Sequence, residues 1–141
     1  MKRQVLSIEQ IQHLKELGVD TSKANLFWAR RSHGTRINDD SKGEWFVSLQ
    51  KVFMTCGFAL YETIPTFTLQ DIIELLPKVV EYNFEKCYFS MKYDEYEDMY
   101  AFLYSNGNNY IKYICEYEIM DAAYQMLCWC AENGYLKGGE K

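Results

Sequence analysis

The sequence has few of the residues that build catalytic or metal sites. Its 141 residues include two histidines and five cysteines, and the cysteines follow neither a metal-ligand nor a disulfide-framework spacing. It has no nucleophile-elbow, phosphate-loop or dinucleotide-binding motif. It also lacks the run of about 18 apolar residues that spans a membrane, and no signal peptide follows Met1. These absences predict a cytoplasmic chain with no metal, cofactor or membrane association.

What the sequence does contain is typical of a folded protein with much β-structure. Apolar residues make up 48% and charged residues 25% of the chain, a composition that excludes a disordered protein poor in core residues. Aromatic residues reach 16%, with 12 tyrosines and 8 phenylalanines, and such side chains favour the half-buried surface of a sheet. A chain of this length suits one domain, so we expect residues 1–141 to form one.

Three segments have the apolar periodicity and the capping residues of helices. Ser7, Thr68 and Asp121 each stand where a side chain can accept a hydrogen bond from the first turn. The predicted helices lie near residues 7–17, 69–76 and 121–133.

Six aromatic or apolar runs have the lengths of strands. Residues 26–32 and 44–50 flank a polar loop, the run 52–62 has a bulge candidate at Gly57, and a three-stranded meander covers residues 85–117. Together with the helices they predict an α+β fold. We expect an antiparallel sheet of about five strands with about three helices packed mainly on one face.

The pair of cysteines in "CWC" resembles a chemical site but is predicted to be core. On a helix, Cys128 and Cys130 lie about 200° apart, so they cannot hold one metal ion or form a disulfide. Cys130 falls on the apolar face. Trp129 falls beside the polar stripe, where its ring either packs sideways onto the sheet or anchors a partner.

A basic cluster follows two aromatic residues in the first half of the chain. Charge for phosphates and rings for bases make Phe27, Trp28, Arg30, Arg31 and Arg36 candidates for a single-stranded nucleic-acid groove. The sequence pI near 5.1 opposes binding to a polyanion, so nucleic acid is disfavoured as a partner.

Charge and tyrosines together indicate a surface for another protein. Residues 1–51 carry nine Lys and Arg against six Asp and Glu, whereas residues 81–121 carry three against nine. This asymmetry can orient a protein partner or a second copy. In the predicted middle strand of the meander, Tyr100 and Tyr104 share a face with Phe102, which gives an aromatic surface.

Three stretches, "LSIEQIQHLKELGVDTSKA", "IPTFTLQDIIELLPK" and "DAAYQMLCWCAENGYL", resemble segments of small uncharacterised proteins encoded by bacteriophages and other mobile elements of gut bacteria. They cover about a third of the chain. The resemblance implies a single intracellular domain of mobile-element origin. It implies no activity and no site residue.

The leading hypothesis for function is a small non-enzymatic protein of phage or mobile-element origin that binds a protein partner or associates with itself. Its candidate contacts are Trp129, Tyr100, Tyr104, Trp28, Arg30, Arg31 and Arg36. One alternative is a small hydrolase with a cysteine nucleophile activated by His13 or His33. The other is a single-stranded nucleic-acid binder acting through residues 27–36.

Overall fold

The computed structural model describes residues 4–33, 43–49 and 60–136. Within these ranges three helices accompany seven strands, and every strand pair is antiparallel. In chain order the elements are α1 (Ile8–Glu16), β1 (Leu26–His33), β2 (Phe46–Ser48), β3 (Leu60–Thr66), α2 (Leu69–Leu75), β4 (Val79–Tyr82), β5 (Glu85–Asp94), β6 (Met99–Ser105), β7 (Tyr110–Glu116) and α3 (Ile119–Glu132). The α+β class predicted from the sequence is confirmed.

The strands form two sheets, and the prediction of one sheet of about five strands was wrong. The first sheet has the order β2-β1-β3 and the second the order β4-β5-β6-β7. The chain leaves the first sheet through α2 and then forms β4, a four-residue strand that pairs with β5. The predicted meander is present as β5, β6 and β7, and β4 extends it. Such a short strand gives too little alternation to be recognised in a sequence.

Most of the predicted strand run 52–62 lies outside the described residues, together with its bulge candidate Gly57. The described part of the run begins at β3, which continues beyond it to Thr66 and pairs with β1 over most of its length. The two predicted runs that flank the polar loop, residues 26–32 and 44–50, contain β1 and β2, which pair with each other.

The first two helices begin at the residues that the sequence indicates. The hydroxyl of Ser7 accepts a hydrogen bond from the backbone amide of Gln10, whose side chain accepts one from the Ser7 amide, both at 3.1 Å. Thr68 and Asp71 form the same reciprocal pair at 3.1 and 2.9 Å. Asn25 also donates to the Asp71 carboxylate at 3.0 Å, which ties the segment before β1 to α2. Capping of this kind stabilises a helix by about 1 kcal/mol.

The third helix begins earlier than the sequence indicates. Its N-cap is Glu118, whose carbonyl oxygen accepts hydrogen bonds from the amides of Asp121 and Ala122. Asp121, the predicted N-cap, therefore lies in the first turn, where its negative charge still interacts favourably with the positive end of the helix dipole. The helix ends at Asn133 and Gly134, and Gly134 has a φ of +75°.

Helix α3 packs on β6 and β7 on one face of the second sheet and also contacts α1 and α2. Side chains from all these elements share one buried cluster, which includes Ile11, Ile72, Phe102, Ile114, Met126 and Leu127. The opposite face of the second sheet, called the outer face below, carries the exposed tyrosines Tyr88 and Tyr113. No described helix combines the length and the apolar character needed to cross a membrane.

Candidate functional site

The two cysteines of α3 point to different neighbours, as the helical spacing predicts. Cys130 is fully buried, and its thiol donates to the hydroxyl oxygen of Tyr104 at 3.7 Å. Cys128 is half-buried and shares a hydrogen bond with Tyr124. The prediction that Cys130 is a small core residue is confirmed. The described residues include no group of three or more side chains suited to a metal ion.

Neither thiol of α3 is prepared for nucleophilic attack. Burial raises the pKa of Cys130 to about 11, although the hydrogen bond with Tyr104 opposes the shift. Burial also raises the pKa of Cys128, and the Tyr124 hydrogen bond opposes it. Both groups therefore remain neutral thiols at physiological pH, whereas a catalytic cysteine requires a lowered pKa.

The imidazole of His13 does not activate a cysteine among the described residues. Its ring lies edge-on to that of Tyr124, with the centroids 6.3 Å apart, and its Nδ1 lies 3.9 Å from the Glu16 carboxylate. Cys56 and the side chain of His33 lie outside the described part. Within residues 4–33, 43–49 and 60–136, no histidine is therefore observed to activate a cysteine, as the cysteine-hydrolase alternative requires.

The candidate contacts Tyr100 and Tyr104 lie on the covered face of β6. Tyr104 is fully buried, and its hydroxyl donates to the carbonyl oxygen of Pro77 at 2.7 Å. A fully buried side chain cannot contact a partner while the chain is folded, so the burial of Tyr104 opposes its role as a candidate partner contact. Tyr100 is half-buried, with its ring 5.1 Å from that of Tyr93. The alternation along β6 was predicted correctly. The tyrosine face, however, is the one on which α3 packs, and Phe102 on that face belongs to the core.

The basic cluster near β1 has intramolecular partners where its side chains are described. The indole nitrogen of Trp28 donates to the carbonyl oxygen of Leu6 at 2.8 Å. The guanidinium of Arg30 lies 2.7 Å from the Glu62 carboxylate and 4.5 Å from the centroid of the Trp45 ring. An ion pair reduces the positive potential available to a phosphate. The side chain of Arg31 and the whole of Arg36 lie outside the described residues.

Trp129 packs sideways in a row of aromatic rings. Its ring centroid lies 5.8 Å from that of Tyr104 and 5.2 Å from that of Tyr135. The side chain is half-buried against the core, so part of the indole remains accessible. Trp129 therefore supports the fold with one part of its ring and leaves another part at the surface.

Phe84 is a surface residue that the sequence reasoning did not identify. Asn83 and Phe84 form the two-residue turn between β4 and β5, with φ angles of 52° and 66°. Two successive positive φ angles are typical of a type I′ turn, in which Asn-Gly is the favoured pair. The Phe84 side chain is fully exposed. The only sequence signal was Asn-Phe between two short β-like runs, which lacks the expected glycine.

Further aromatic side chains lie close to this turn. Tyr82 precedes it, is 49% exposed and faces Glu85 across the hairpin. Burial raises the pKa of Tyr135, and the neighbouring phenol of Tyr82 raises it further, which places Tyr82 near Tyr135. Because Tyr135 contacts Trp129, aromatic side chains extend from Tyr82 in β4 to the end of α3. The aromatic edge below denotes Tyr82, Phe84, Trp129 and Tyr135.

A second candidate site lies on the outer face of the second sheet. The ammonium of Lys92 lies 5.9 Å from the ring centroid of Tyr110 and 5.4 Å from that of Tyr113. Beside it is an open groove of about 310 Å³. The groove, called the lysine groove below, is lined by Ser90, Lys92, Leu103, Ser105, Asn109 and Tyr110, with Gly107 and Asn108 at the same end.

No protein-family model, curated protein or solved structure matches the chain. The phage or mobile-element origin implied by three segments of the sequence stays a prediction.

Proposed function

We propose that the chain is a non-enzymatic protein-interaction protein that binds another protein through the aromatic edge. The observation that carries this proposal is Phe84, a fully exposed phenylalanine held at positive φ at the tip of a hairpin. The left-handed region costs an L-residue about 1–2 kcal/mol, and glycine avoids that cost. The side chain also gains no burial within the described fold.

A partner with an apolar pocket would supply what the isolated chain lacks. Burying a phenylalanine side chain contributes about 1.5–3 kcal/mol, which exceeds or offsets the backbone cost of the turn. A two-residue hairpin turn also holds the backbone of Phe84 in a defined position, so little backbone entropy is lost on binding. Phe84 is suited to act as the anchor of the interface.

The rest of the aromatic edge suits the surroundings of such an anchor. Tyr82, Trp129 and Tyr135 each combine an apolar ring with a polar atom, the composition enriched in energetically dominant interface residues. Glu81 and Glu85 flank the turn and are exposed. The pocket that receives Phe84 should therefore have a rim of hydrogen-bond donors or basic side chains.

Binding of another protein is the principal activity that we propose, and the resemblance of three segments supports a phage or mobile-element origin. Self-association through the same edge is the competing outcome. The proposal includes neither a catalytic step nor nucleic acid as the partner.

The test replaces Phe84 with the photo-crosslinking amino acid benzoylphenylalanine in the cells that naturally produce the protein. Tyr96 is the matched control position, because it is equally exposed, at 98%, and lies in the turn between β5 and β6. We expect one protein to crosslink at position 84 and not at position 96. The immobilised wild-type chain and the Tyr96→Ala variant should retain that protein in a pull-down, whereas Phe84→Ala should not.

Three outcomes would overturn the proposal. The first is equal crosslinking at the two positions, which would indicate random encounters. The second is a partner that Phe84→Ala still retains. The third is crosslinking of the chain only to itself, accompanied by a dimeric mass in light scattering that Phe84→Ala abolishes, which would assign the edge to self-association.

A further inference from the structure

We propose that the lysine groove binds a sugar that carries one anionic group, either a phosphate or a carboxylate. The inference concerns a different surface from the aromatic edge and does not depend on the proposed function. It rests on the cation, the hydrogen-bonding groups, the aromatic ring and the dimensions of the groove.

The cation of the groove is available for an external anion. Lys92 forms no ion pair with any residue in the described ranges and lies over two tyrosine rings. Asp94, on the same face of β5, accepts hydrogen bonds from the amides of Tyr96 and Glu97. Its carboxylate is thereby held in the turn after β5. A lysine ammonium binds phosphate or carboxylate as a point charge with three donors.

The neutral polar groups suit the hydroxyls of a sugar. Ser90 and Ser105 each provide a hydroxyl that both donates and accepts, and the side chains of Asn108 and Asn109 provide amides. Within the described part of the chain, none of these four side chains has a hydrogen-bonding partner. The amides of Asn108 and Asn109 donate instead to the side chain of Asn106, which fixes the loop that carries them.

The apolar parts of the groove suit the carbon face of the same ligand. Leu103 forms the floor and is only 4% exposed, whereas the ring of Tyr110 is 57% exposed. An aromatic face packs well against an apolar surface while polar groups at its rim direct orientation. The volume of about 310 Å³ accommodates a single sugar rather than an oligosaccharide.

The placement of the lysine follows from the sheet register. Lys92 pairs with Ala101 on β6, and Leu103 pairs with Tyr113 on β7. The lysine side chain therefore extends across β6, where Ala101 and Leu103 share its face of the sheet, to reach Tyr110 and Tyr113 of β7.

The test is isothermal titration calorimetry of the full chain with glucose 6-phosphate, glucuronate, glucose and inorganic phosphate. We expect at least one of the two anionic sugars to bind, and to bind more tightly than both glucose and inorganic phosphate. Which of the two binds more tightly identifies the anionic group. Binding of inorganic phosphate as tight as that of the preferred sugar, binding of glucose at equal strength, or no binding of either anionic sugar would each overturn the proposal.

Three variants locate the site. Lys92→Met keeps an unbranched apolar side chain but removes the charge, and it should weaken binding by at least about tenfold, the loss expected for a charged hydrogen bond. Lys86→Ala, on the same face of β5 but outside the groove, should leave binding unchanged. Phe84→Ala should also leave it unchanged, which separates this site from the aromatic edge. Unaltered binding in Lys92→Met would place any ligand elsewhere.

Discussion

The ring centroids of Trp129 and Tyr135 lie 5.2 Å apart, so the end of α3 and the segment after it share an aromatic contact. Cys130, the neighbour of Trp129, is fully buried and donates to the hydroxyl of Tyr104. One stretch of helix thus supplies both a core contact and part of the aromatic edge. The stability and the binding roles of these residues can be separated by substitution.

Trp129→Ala should lower the free energy of unfolding by about 2 kcal/mol. The ring is half-buried and contacts two tyrosines, so the loss should be smaller than the about 3–5 kcal/mol typical of a fully buried tryptophan. Chemical denaturation followed by far-ultraviolet circular dichroism measures the difference. Trp129→Phe keeps an aromatic ring and should recover most of it. A change within experimental error for the alanine variant would show that the indole contributes only at the surface.

Phe84→Gly should raise the free energy of unfolding by about 0.5 kcal/mol while it abolishes partner binding. Glycine removes a backbone cost of about 1–2 kcal/mol at positive φ, and its greater freedom in the unfolded chain offsets part of that gain. Phe84→Ala keeps the backbone cost and should leave stability unchanged. Thermal unfolding of the three proteins measures the order. A glycine variant less stable than the wild type would mean that the ring packs on its own chain.

Tyr104→Phe should lower the free energy of unfolding by about 1–2 kcal/mol. The change leaves the carbonyl oxygen of Pro77 and the thiol of Cys130 without the hydroxyl that each contacts. Tyr110→Phe is the matched control, because its ring is 57% exposed, and it should change stability by less than about 0.5 kcal/mol. Equal effects of the two substitutions in urea unfolding would contradict the assigned role of Tyr104.

The buried thiol of Cys130 should make the protein less stable in alkali. Burial raises its pKa from 9.0 to about 11, so the folded state keeps a proton that the unfolded state begins to lose near pH 9. The stability that the neutral buried thiol contributes is fully present below about pH 9 and is lost as the pH rises towards about 11. Between about pH 8 and about pH 10.5, a range that brackets the ordinary thiol pKa, the wild type should therefore lose more stability than Cys130→Ala. Parallel pH dependences of the two proteins would contradict the raised pKa.

Local features of the sequence were enough to predict most secondary structure. The first two helices begin at Ser7 and Thr68 because their side chains satisfy amides within one turn, an interaction that depends only on neighbours. The hairpin between β6 and β7 turns at residues 106–109, where Gly107 has a φ of +97° and the Asn106 side chain accepts hydrogen bonds from the amides of Asn108 and Asn109, all interactions between near neighbours. Cys130 is a core residue because helical periodicity alone places it opposite the polar stripe.

The candidate sites were decided by contacts between distant parts of the chain. The local sequence does not distinguish Tyr104 from Tyr113, yet α3 covers Tyr104 and Tyr113 stays at the surface. The lysine groove joins residues from β5, β6 and β7, whose register depends on long-range pairing. The division into two sheets was likewise undetermined, since alternation specifies which residues share a face and not which strands become neighbours. The sequence by itself determined the helices, the meander and the core position of Cys130; the tertiary structure decided which aromatic rings remained exposed, because burial depends on the packing of whole elements.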